Sequence, residues 1–153
     1  MTSNPENTSV EKKLLGEILV KRGVVTVQQL NEALEVQKKD EIYLGEILIR
    51  LGYAQERDVV VALVVQCNLP YIAVDNYDID KSIIQLLPAE IARKHLVVPL
   101  DRVGDILSVV MVDPLNQRVR AELQRITKCK IASFIATKEE IENAIRRWYP
   151  GEG

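Results

Sequence analysis

The chain has 153 residues, of which 47% are hydrophobic and 27% charged, and its formal net charge at pH 7 is −2. This length suits one compact domain or two small subdomains, and the composition is typical of a globular protein. The chain has no basic excess and only one Phe and one Trp. We therefore expect no nucleic-acid polymer as a partner, because binding one requires a basic surface and commonly aromatic stacking platforms.

The ends of the chain and its apolar runs were searched for a signal peptide and for a membrane-spanning segment. The first residues are polar, and the hydrophobic segment of a signal peptide does not follow them. We expect a disordered tail at residues 1–10 and a tail or linker at residues 150–153. The longest uncharged apolar run, Val59–Val65, is too short to span a bilayer. These features predict a cytoplasmic protein without direct membrane insertion.

A gapless repeat occupies the N-terminal part of the sequence. Residues 14–37 align with residues 43–66 at an offset of 29, and ten of the 24 aligned positions are identical. Identity of this extent at a fixed offset indicates a repeated structural unit. The identical positions in the first copy are Leu15, Gly16, Glu17, Ile18, Leu19, Gly23, Ala33, Leu34, Val36 and Gln37.

Each copy of the repeat has the pattern of a helical hairpin. Apolar residues recur at helical spacing before Gly23 and before Gly52, and glycine ends a helix readily because it adopts positive φ without strain. Thr26, with a glutamine three residues later, predicts a capping box that starts the next helix. Gln55 is a poorer cap at the same place in the second copy. The two hairpins together predict a four-helix subdomain at residues 11–68.

Two features of the repeat exceed what a simple hairpin needs. Glycine early in a helix costs about 1 kcal/mol relative to alanine, so Gly16 and Gly45 indicate that another backbone or a ligand comes close. A close crossing of two helices explains them equally well. Gln37 and Gln66 place an amide on an apolar stripe, and a buried amide needs a hydrogen-bond partner. That partner is either the backbone of the following turn or a polar ligand.

Residues 69–149 predict a second subdomain that contains a small sheet. β-branched apolar runs indicate strands, and proline and capping residues mark the starts of helices. The predicted elements are short helices at 82–87 and 88–95, strands at 96–100, 106–112 and 130–136, a helix from Asp113-Pro114 to about Ile126, and a helix capped by Thr137 and Glu140 that ends at Tyr149. The predicted fold class is α+β: a four-helix unit of two tandem hairpins, then a small α/β subdomain with about three strands and packed helices.

The sequence carries no recognisable catalytic or metal-binding pattern. The phosphate-binding motif G-x-x-x-x-G-K-[ST] is absent, so the chain cannot hydrolyse a nucleoside triphosphate by that route. His95 is the single histidine, and we interpret it as a surface or strand-edge residue. Cys67 and Cys129 lack neighbours at ligand spacing and are expected to be buried thiols. The remaining carboxylates are expected to form a solvated surface. We expect no catalytic residue, no metal and no cofactor.

The doubled Leu-Gly-Glu-Ile-Leu … Gly … Ala-Leu-x-x-Gln pattern resembles the MshEN family, the N-terminal domains of type II secretion and type IV pilus assembly ATPases. The resemblance covers about residues 11–149 and implies a non-enzymatic regulatory domain. Some members of this family bind cyclic di-GMP with the two motifs, and others dock onto inner-membrane platform proteins. The chain is thus a candidate cyclic di-GMP receptor. The alternative is a docking or adaptor module of a secretion or pilus machine. Further matches to the family are Leu69-Pro70-Tyr71, Leu87-Pro88, Val98-Pro99-Leu100, Met111 to Asn116 and the helix Ile141–Tyr149.

The family's binding motif begins Arg-Leu-Gly and ends in Gln. Leu14 and Tyr43 stand where the two arginines would be, so two charge-assisted contacts of about 1.5–3 kcal/mol each are lost. Tyr43 can instead stack on a base, and Lys12 or Lys13 can supply charge from one turn away. Asp113, by the resemblance, would hydrogen-bond a guanine edge. The other contacts that the resemblance implies are Leu15, Gly16, Leu19, Val20, Gln37, Leu44, Gly45, Leu48, Ile49 and Gln66.

Overall fold

A computed structural model describes residues 15–40 and 42–151, apart from the side chains of Gln66 and Cys67. The predicted tail at 1–10 and the predicted site residues Lys12 and Leu14 lie outside this range.

The chain divides into two compact units, with the division between Asn68 and Leu69. Each unit is taken by itself below. Across the described residues, no helix has the length and apolar character needed to traverse a bilayer.

The first unit consists of two helical hairpins, as the repeat predicted. The first hairpin pairs α1 (described from 15 to 21) with α2 (Val27–Lys39), and the second pairs α3 (Leu44–Arg50) with α4 (Glu56–Cys67). Equivalent apolar positions of the two copies fill the interior, because each amphipathic helix buries one stripe against its neighbours. The buried apolar residues include Leu15, Leu19, Leu30, Ala33, Leu44, Leu48, Val59, Ala62 and Leu63.

The first helix of each hairpin ends on its glycine. Gly23 has φ of +77° and Gly52 has φ of +80°, the left-handed conformation that glycine adopts most readily. In both copies the glycine N–H donates to a carbonyl of the last turn at 3.0 Å, and the next N–H donates to the carbonyl one residue earlier at 2.9 Å. This pair of bonds is the Schellman motif, which confirms the predicted helix ends.

The second helix of each hairpin begins with the caps that the sequence indicated. The Thr26 hydroxyl accepts the Gln29 N–H at 3.1 Å, and the Gln29 side chain accepts the Thr26 N–H at 2.9 Å, so the capping box is complete. In the second copy the Asp58 carboxylate accepts the Gln55 N–H at 2.9 Å. The start of α4 is therefore stabilised by its own first turn, although Gln55 is a poor cap.

The second unit combines a three-stranded sheet with packed helices, which confirms the predicted α+β class. β1 (Val97–Val103) is antiparallel to β2 (Ile106–Met111), and β3 (Lys130–Ile135) is parallel to β2. The connection between β2 and β3 therefore crosses over, and it does so through α7 (Gln117–Thr127). Its elements are a 3₁₀ turn Val74–Asn76, α5 (Lys81–Ile84), α6 (Ala89–His95), β1 (Val97–Val103), β2 (Ile106–Met111), α7 (Gln117–Thr127), β3 (Lys130–Ile135) and α8 (Lys138–Trp148).

Several predicted boundaries in this unit were wrong by a few residues. β1 continues to Val103, so the turn shrinks to Gly104 and Asp105; the register shift near Pro99 lets the hairpin extend past the proline. The helix α7 begins only at Gln117 and not at Asp113-Pro114, because the side chain of Asn116 caps it by accepting two N–H groups at 3.0 and 3.2 Å.

The outer edge of β3 is covered by elements of its own unit. The Arg120 guanidinium donates to the Ile131 carbonyl and to the Ser133 hydroxyl, both at 2.8 Å. Near the end of the strand, Ile135 exchanges backbone hydrogen bonds with the chain at Pro70 and Ile72. An open edge with unpaired backbone groups invites pairing with another chain, and these contacts prevent it along this part of β3.

His95 is not a surface or strand-edge residue, contrary to the expectation. It lies at the end of α6 with its side chain 16% exposed, and its Nε2 is 3.2 Å from a carboxylate oxygen of Glu122 on α7. The pair joins two helices and therefore has a structural role. Cys129 is a buried free thiol, as predicted.

Lys128 offers a test of local backbone strain. It ends α7 with φ of +61°, a conformation that glycine adopts at less cost than lysine. We expect Lys128→Gly to stabilise the protein by about 0.5–1 kcal/mol in urea unfolding. Leu96→Gly is the matched control: Leu96 also has positive φ but packs against the core, so its replacement should give no gain. A destabilised Lys128→Gly protein would contradict the interpretation.

Candidate functional site

The glycine near the start of the first helix packs against the second helix in both hairpins. A Cβ at Gly16 would lie 2.5 Å from a methyl carbon of Leu30, and a Cβ at Gly45 would lie 3.1 Å from one of Val59. Leu30 and Val59 are themselves equivalent positions of the repeat. The close approach that the two glycines indicated is thus made within each hairpin, by a side chain of its second helix.

The two distances predict different responses to alanine. Gly16→Ala forces the buried Leu30 side chain to shift, and overpacking of this kind costs about 1–3 kcal/mol, more than the roughly 1 kcal/mol gained in helix propensity. Gly45→Ala needs a shift of only a few tenths of an ångström at Val59. We therefore expect Gly16→Ala to lower the free energy of unfolding and Gly45→Ala to leave it nearly unchanged, as measured by urea titration. Equal effects would contradict this account.

The leucines of the motif lie inside the hairpins. Leu15, Leu19, Leu44 and Leu48 are all buried, whereas Val20 and Ile49 are only half-buried. Of these predicted contacts, the latter two present more of their side chains to the surface. The leucines hold the helices together and so fix where the surface residues stand.

The amide of Gln37 has a partner in the chain turn that follows α2. Its Nε2 donates to the backbone carbonyl oxygen of Ile42 at 3.0 Å in a half-buried position. Of the two partners that the sequence allowed for Gln37, the structure shows the backbone of the following turn. The amide oxygen can still act as an acceptor. The side chain of Gln66, the equivalent residue, is outside the described part.

Tyr43 occupies the position directly before α3 and is half-buried. Its side chain does not cap the helix. Instead two carbons of its ring lie 3.4 and 3.5 Å from the place that a Cβ of Gly45 would take. The ring therefore rests beside the glycine of the second motif.

Asp113 belongs to the second unit and follows β2. It is half-buried, and the Asn116 side-chain amide donates to its Oδ2 at 3.3 Å. Asn116 also caps α7, so Asp113 is held by a residue that fixes the start of that helix. Its participation in one site with the hairpins stays a prediction.

One carboxylate departs from the predicted solvated surface. Glu46 is 8% exposed and pairs with Arg50 at 2.8 Å, whereas the equivalent Glu17 is exposed. Both copies place a basic residue four positions later, Lys21 and Arg50. The spacing therefore gave no signal that one glutamate would be buried. Only the packing of the second hairpin distinguishes them.

A second polar contact that the sequence did not indicate joins the hairpins. The Tyr53 hydroxyl lies 2.9 Å from each carboxylate oxygen of Glu32 on α2. The hydrogen bond to this carboxylate raises the pKa of Tyr53, because only the protonated phenol can donate it. The equivalent positions in the other copy are Val24 and Val61, so the repeat itself does not predict the contact.

Comparison with known proteins decides the family. The family model described as MshEN domain matches residues 67–153. The chain belongs to this family. The match covers the second unit and the end of α4, whereas the resemblance seen in the sequence rested first on the tandem motif. The two parts of the chain therefore point to the same family.

The MshEN domain has relatives among pilus assembly ATPases. The type IV pilus assembly ATPase PilB of Myxococcus xanthus is 37% identical over 139 residues, which are 91% of this chain and 25% of that protein. PilB of Thermus thermophilus is 26% identical over 147 residues, which are 95% of this chain and 16% of that protein. The chain thus spans a quarter or less of these relatives.

Two solved structures share the fold. The structure of MshE with cdg is 31% identical, with a TM-score of 0.72, and the match covers 88% of this chain and 98% of that one. The N-terminal domain of XpsE is 17% identical with a TM-score of 0.75, covering 97% of this chain and 99% of that one. The second likeness concerns the fold alone.

Proposed function

We propose that this MshEN domain is a non-catalytic regulatory domain that binds cyclic di-GMP across its two helical hairpins. The observation that carries the proposal is the match to MshE with cdg, at 31% identity and over 98% of that chain; cdg is a usual abbreviation of cyclic di-GMP. The hydrophobic and glycine frame of the motif is intact in both copies. The proposal assumes a cytoplasmic protein, as the composition predicts.

The described side chains suit different parts of such a ligand. Val20 and Ile49 offer half-buried apolar surface on which a base can rest. The amide of Gln37 is anchored through its nitrogen, and its oxygen is an acceptor for a guanine N–H. By the family resemblance alone, the carboxylate of Asp113 is proposed as a second acceptor of the same kind. The buried motif leucines hold together the hairpins that carry Val20, Ile49 and Gln37.

Titration calorimetry with the purified chain and cyclic di-GMP tests the proposal. We expect binding heat at roughly 10–100 µM, the range that corresponds to about −5 to −7 kcal/mol. Gln37→Ala and Asp113→Ala should weaken it, because each removes an acceptor for a charged or polar edge. Gln28→Ala, an exposed glutamine on the same helix, is the control and should bind as the unaltered chain does. Absence of heat at these concentrations would sink the proposal.

A docking role in a secretion or pilus machine is the second candidate. The observation that favours it is the replacement of both motif arginines by Leu14 and Tyr43, since neither residue supplies a bidentate cation. The relatives named as pilus assembly ATPases indicate the kind of machine. Co-purification with its components should be lost on charge reversal of exposed helix residues such as Glu35 and Lys38. Retention of every partner in these variants would count against docking.

A further inference from the structure

The helix α3 is fastened to α2 near both of its ends. The two helices pack against each other. Before α3 begins, the Ile42 carbonyl accepts from the Gln37 amide on α2 at 3.0 Å. After α3 ends, the Tyr53 hydroxyl donates to Glu32 on α2, with both carboxylate oxygens at 2.9 Å. Glu32 and Gln37 lie more than one helical turn apart, so the two bonds hold α3 at separate points.

The backbone of Tyr53 is bonded to the end of α3. Its N–H donates to the Leu48 carbonyl at 2.9 Å, and the Gly52 N–H donates to the Ile49 carbonyl at 3.0 Å. These are the bonds of the Schellman motif that ends the helix. A bond at the Tyr53 hydroxyl therefore positions the last turn of α3, in which Ile49 lies.

The bond between Tyr53 and Glu32 has no counterpart in the repeat. The equivalent residues of the other copies, Val24 and Val61, have no polar side-chain atoms. Apolar packing is not directional, whereas a hydrogen bond weakens steeply away from its preferred distance and angle. The bond therefore favours one particular placement of the second hairpin against the first more sharply than packing alone does.

We propose that the bond between Tyr53 and Glu32 positions Ile49 for the ligand. This inference rests on the proposed function, in which cyclic di-GMP lies across both hairpins. Gln37 belongs to α2 and Ile49 to α3, so a ligand that touches both needs the two helices at a fixed separation. Tyr53 and Glu32 are positioning residues, because neither is among the proposed ligand contacts. Without their bond, α3 keeps its fastening at Ile42 and loses the one beside Ile49.

Removal of the Tyr53 hydroxyl should weaken cyclic di-GMP binding while the protein stays folded, as circular dichroism checks. Tyr53→Phe keeps the ring and loses the bond, so calorimetry should show about 3–10-fold weaker binding, the factor for a correct arrangement populated at roughly 10–30%. Glu32→Ala should have the same effect. Glu32→Gln keeps an oxygen acceptor and should recover most of the affinity. Tyr77→Phe, at a half-buried tyrosine of the second unit, is the control and should bind as the unaltered chain does.

A double variant distinguishes positioning from simple stabilisation of the fold. If Tyr53 acts through Ile49, Tyr53→Phe should weaken binding little further in the Ile49→Ala protein, because the contact that it positions is already gone. Titration followed by NMR chemical shifts measures such weak affinities. A bond that only stabilises the fold would lower the urea midpoint and leave the affinity of the folded chain unchanged.

The outcomes for the positioning role and for the proposed function differ. Unchanged binding by Tyr53→Phe, or an equally large loss in the Ile49→Ala protein, overturns the positioning role, while binding by the unaltered chain keeps the proposed function. An unaltered chain that gives no binding heat removes the proposed function and the positioning role with it. Weaker binding by Tyr53→Phe that disappears in the Ile49→Ala protein, with recovery in Glu32→Gln, supports both.

Discussion

Replacing Leu14 and Tyr43 together by arginine should tighten the binding of cyclic di-GMP by about two to four orders of magnitude. Each arginine supplies a planar, permanently charged fork that bonds phosphate or guanine through two N–H groups. Charge-assisted contacts of this kind are worth about 1.5–3 kcal/mol each, and 1.4 kcal/mol corresponds to a factor of ten. Calorimetry on the double variant measures the change directly.

Two control variants separate the contributions of added charge and of the lost tyrosine ring to this increase in affinity. The variant with lysine at both positions adds the same charge without the bidentate geometry, so it should recover only part of the affinity. Tyr43→Arg also removes the ring beside Gly45, and Tyr43→Ala therefore provides the baseline for that position. A double arginine variant that binds no more tightly than Tyr43→Ala would show that these positions do not contact the ligand. Part of the gain should disappear in high salt, which screens exposed charges.

The first unit was the part of the fold most open to prediction. Its helix ends depend on local signals: Gly23 and Gly52 at positive φ, and the capping residue Thr26. Local signals act through the residue itself and its neighbours within four positions, so they depend little on contacts between distant elements. The repeat then supplied a second, independent copy of each signal. Agreement between copies made the hairpins predictable without knowledge of their packing.

The boundaries of the second unit were less predictable because they depend on contacts between elements. The turn after β1 is shorter than predicted because β1 and β2 pair as far as Val103 and Ile106. Pairing partners are not encoded locally. The helix α7 starts later than predicted because Asn116 is its N-cap, three residues after Asp113. Proline tolerates a helix start but does not require one. The first error arose where a local preference met a tertiary constraint, and the second arose from two competing local signals.

The sequence predicted the close packing at the two motif glycines, but it did not predict where the individual side chains of the candidate site lie. Identity between copies at Gly16 and Gly45 indicated a close approach, and Leu30 and Val59 make it. The position of the Tyr43 ring followed from no pattern, because the two copies have different residues there. Sequence likewise could not distinguish a leucine that touches a ligand from one that fills the hairpin.

Leu48 and Ile49 provide the experiment that makes this last distinction. Leu48 is fully buried, and truncating a buried leucine costs about 2–5 kcal/mol. Leu48→Ala should therefore lower the unfolding midpoint strongly in urea, whereas Ile49→Ala, at a half-buried position, should cost about 1 kcal/mol or less. Circular dichroism during urea titration provides both free energies of unfolding.

Cyclic di-GMP binding should depend more on Ile49 than on Leu48, which is the reverse of their order for stability. Ile49→Ala removes apolar surface under a base and should weaken cyclic di-GMP binding, while Leu48→Met, which conserves volume at a cost below about 1.5 kcal/mol, should bind normally. Leu48→Met keeps the test valid if Leu48→Ala does not fold. A folded Leu48→Met protein that loses binding, beside an Ile49→Ala protein that retains it, would place the ligand against the hairpin interior. The buried leucines would then be ligand contacts and not only a frame, and the first unit would have to open on binding, because Leu48 is fully buried.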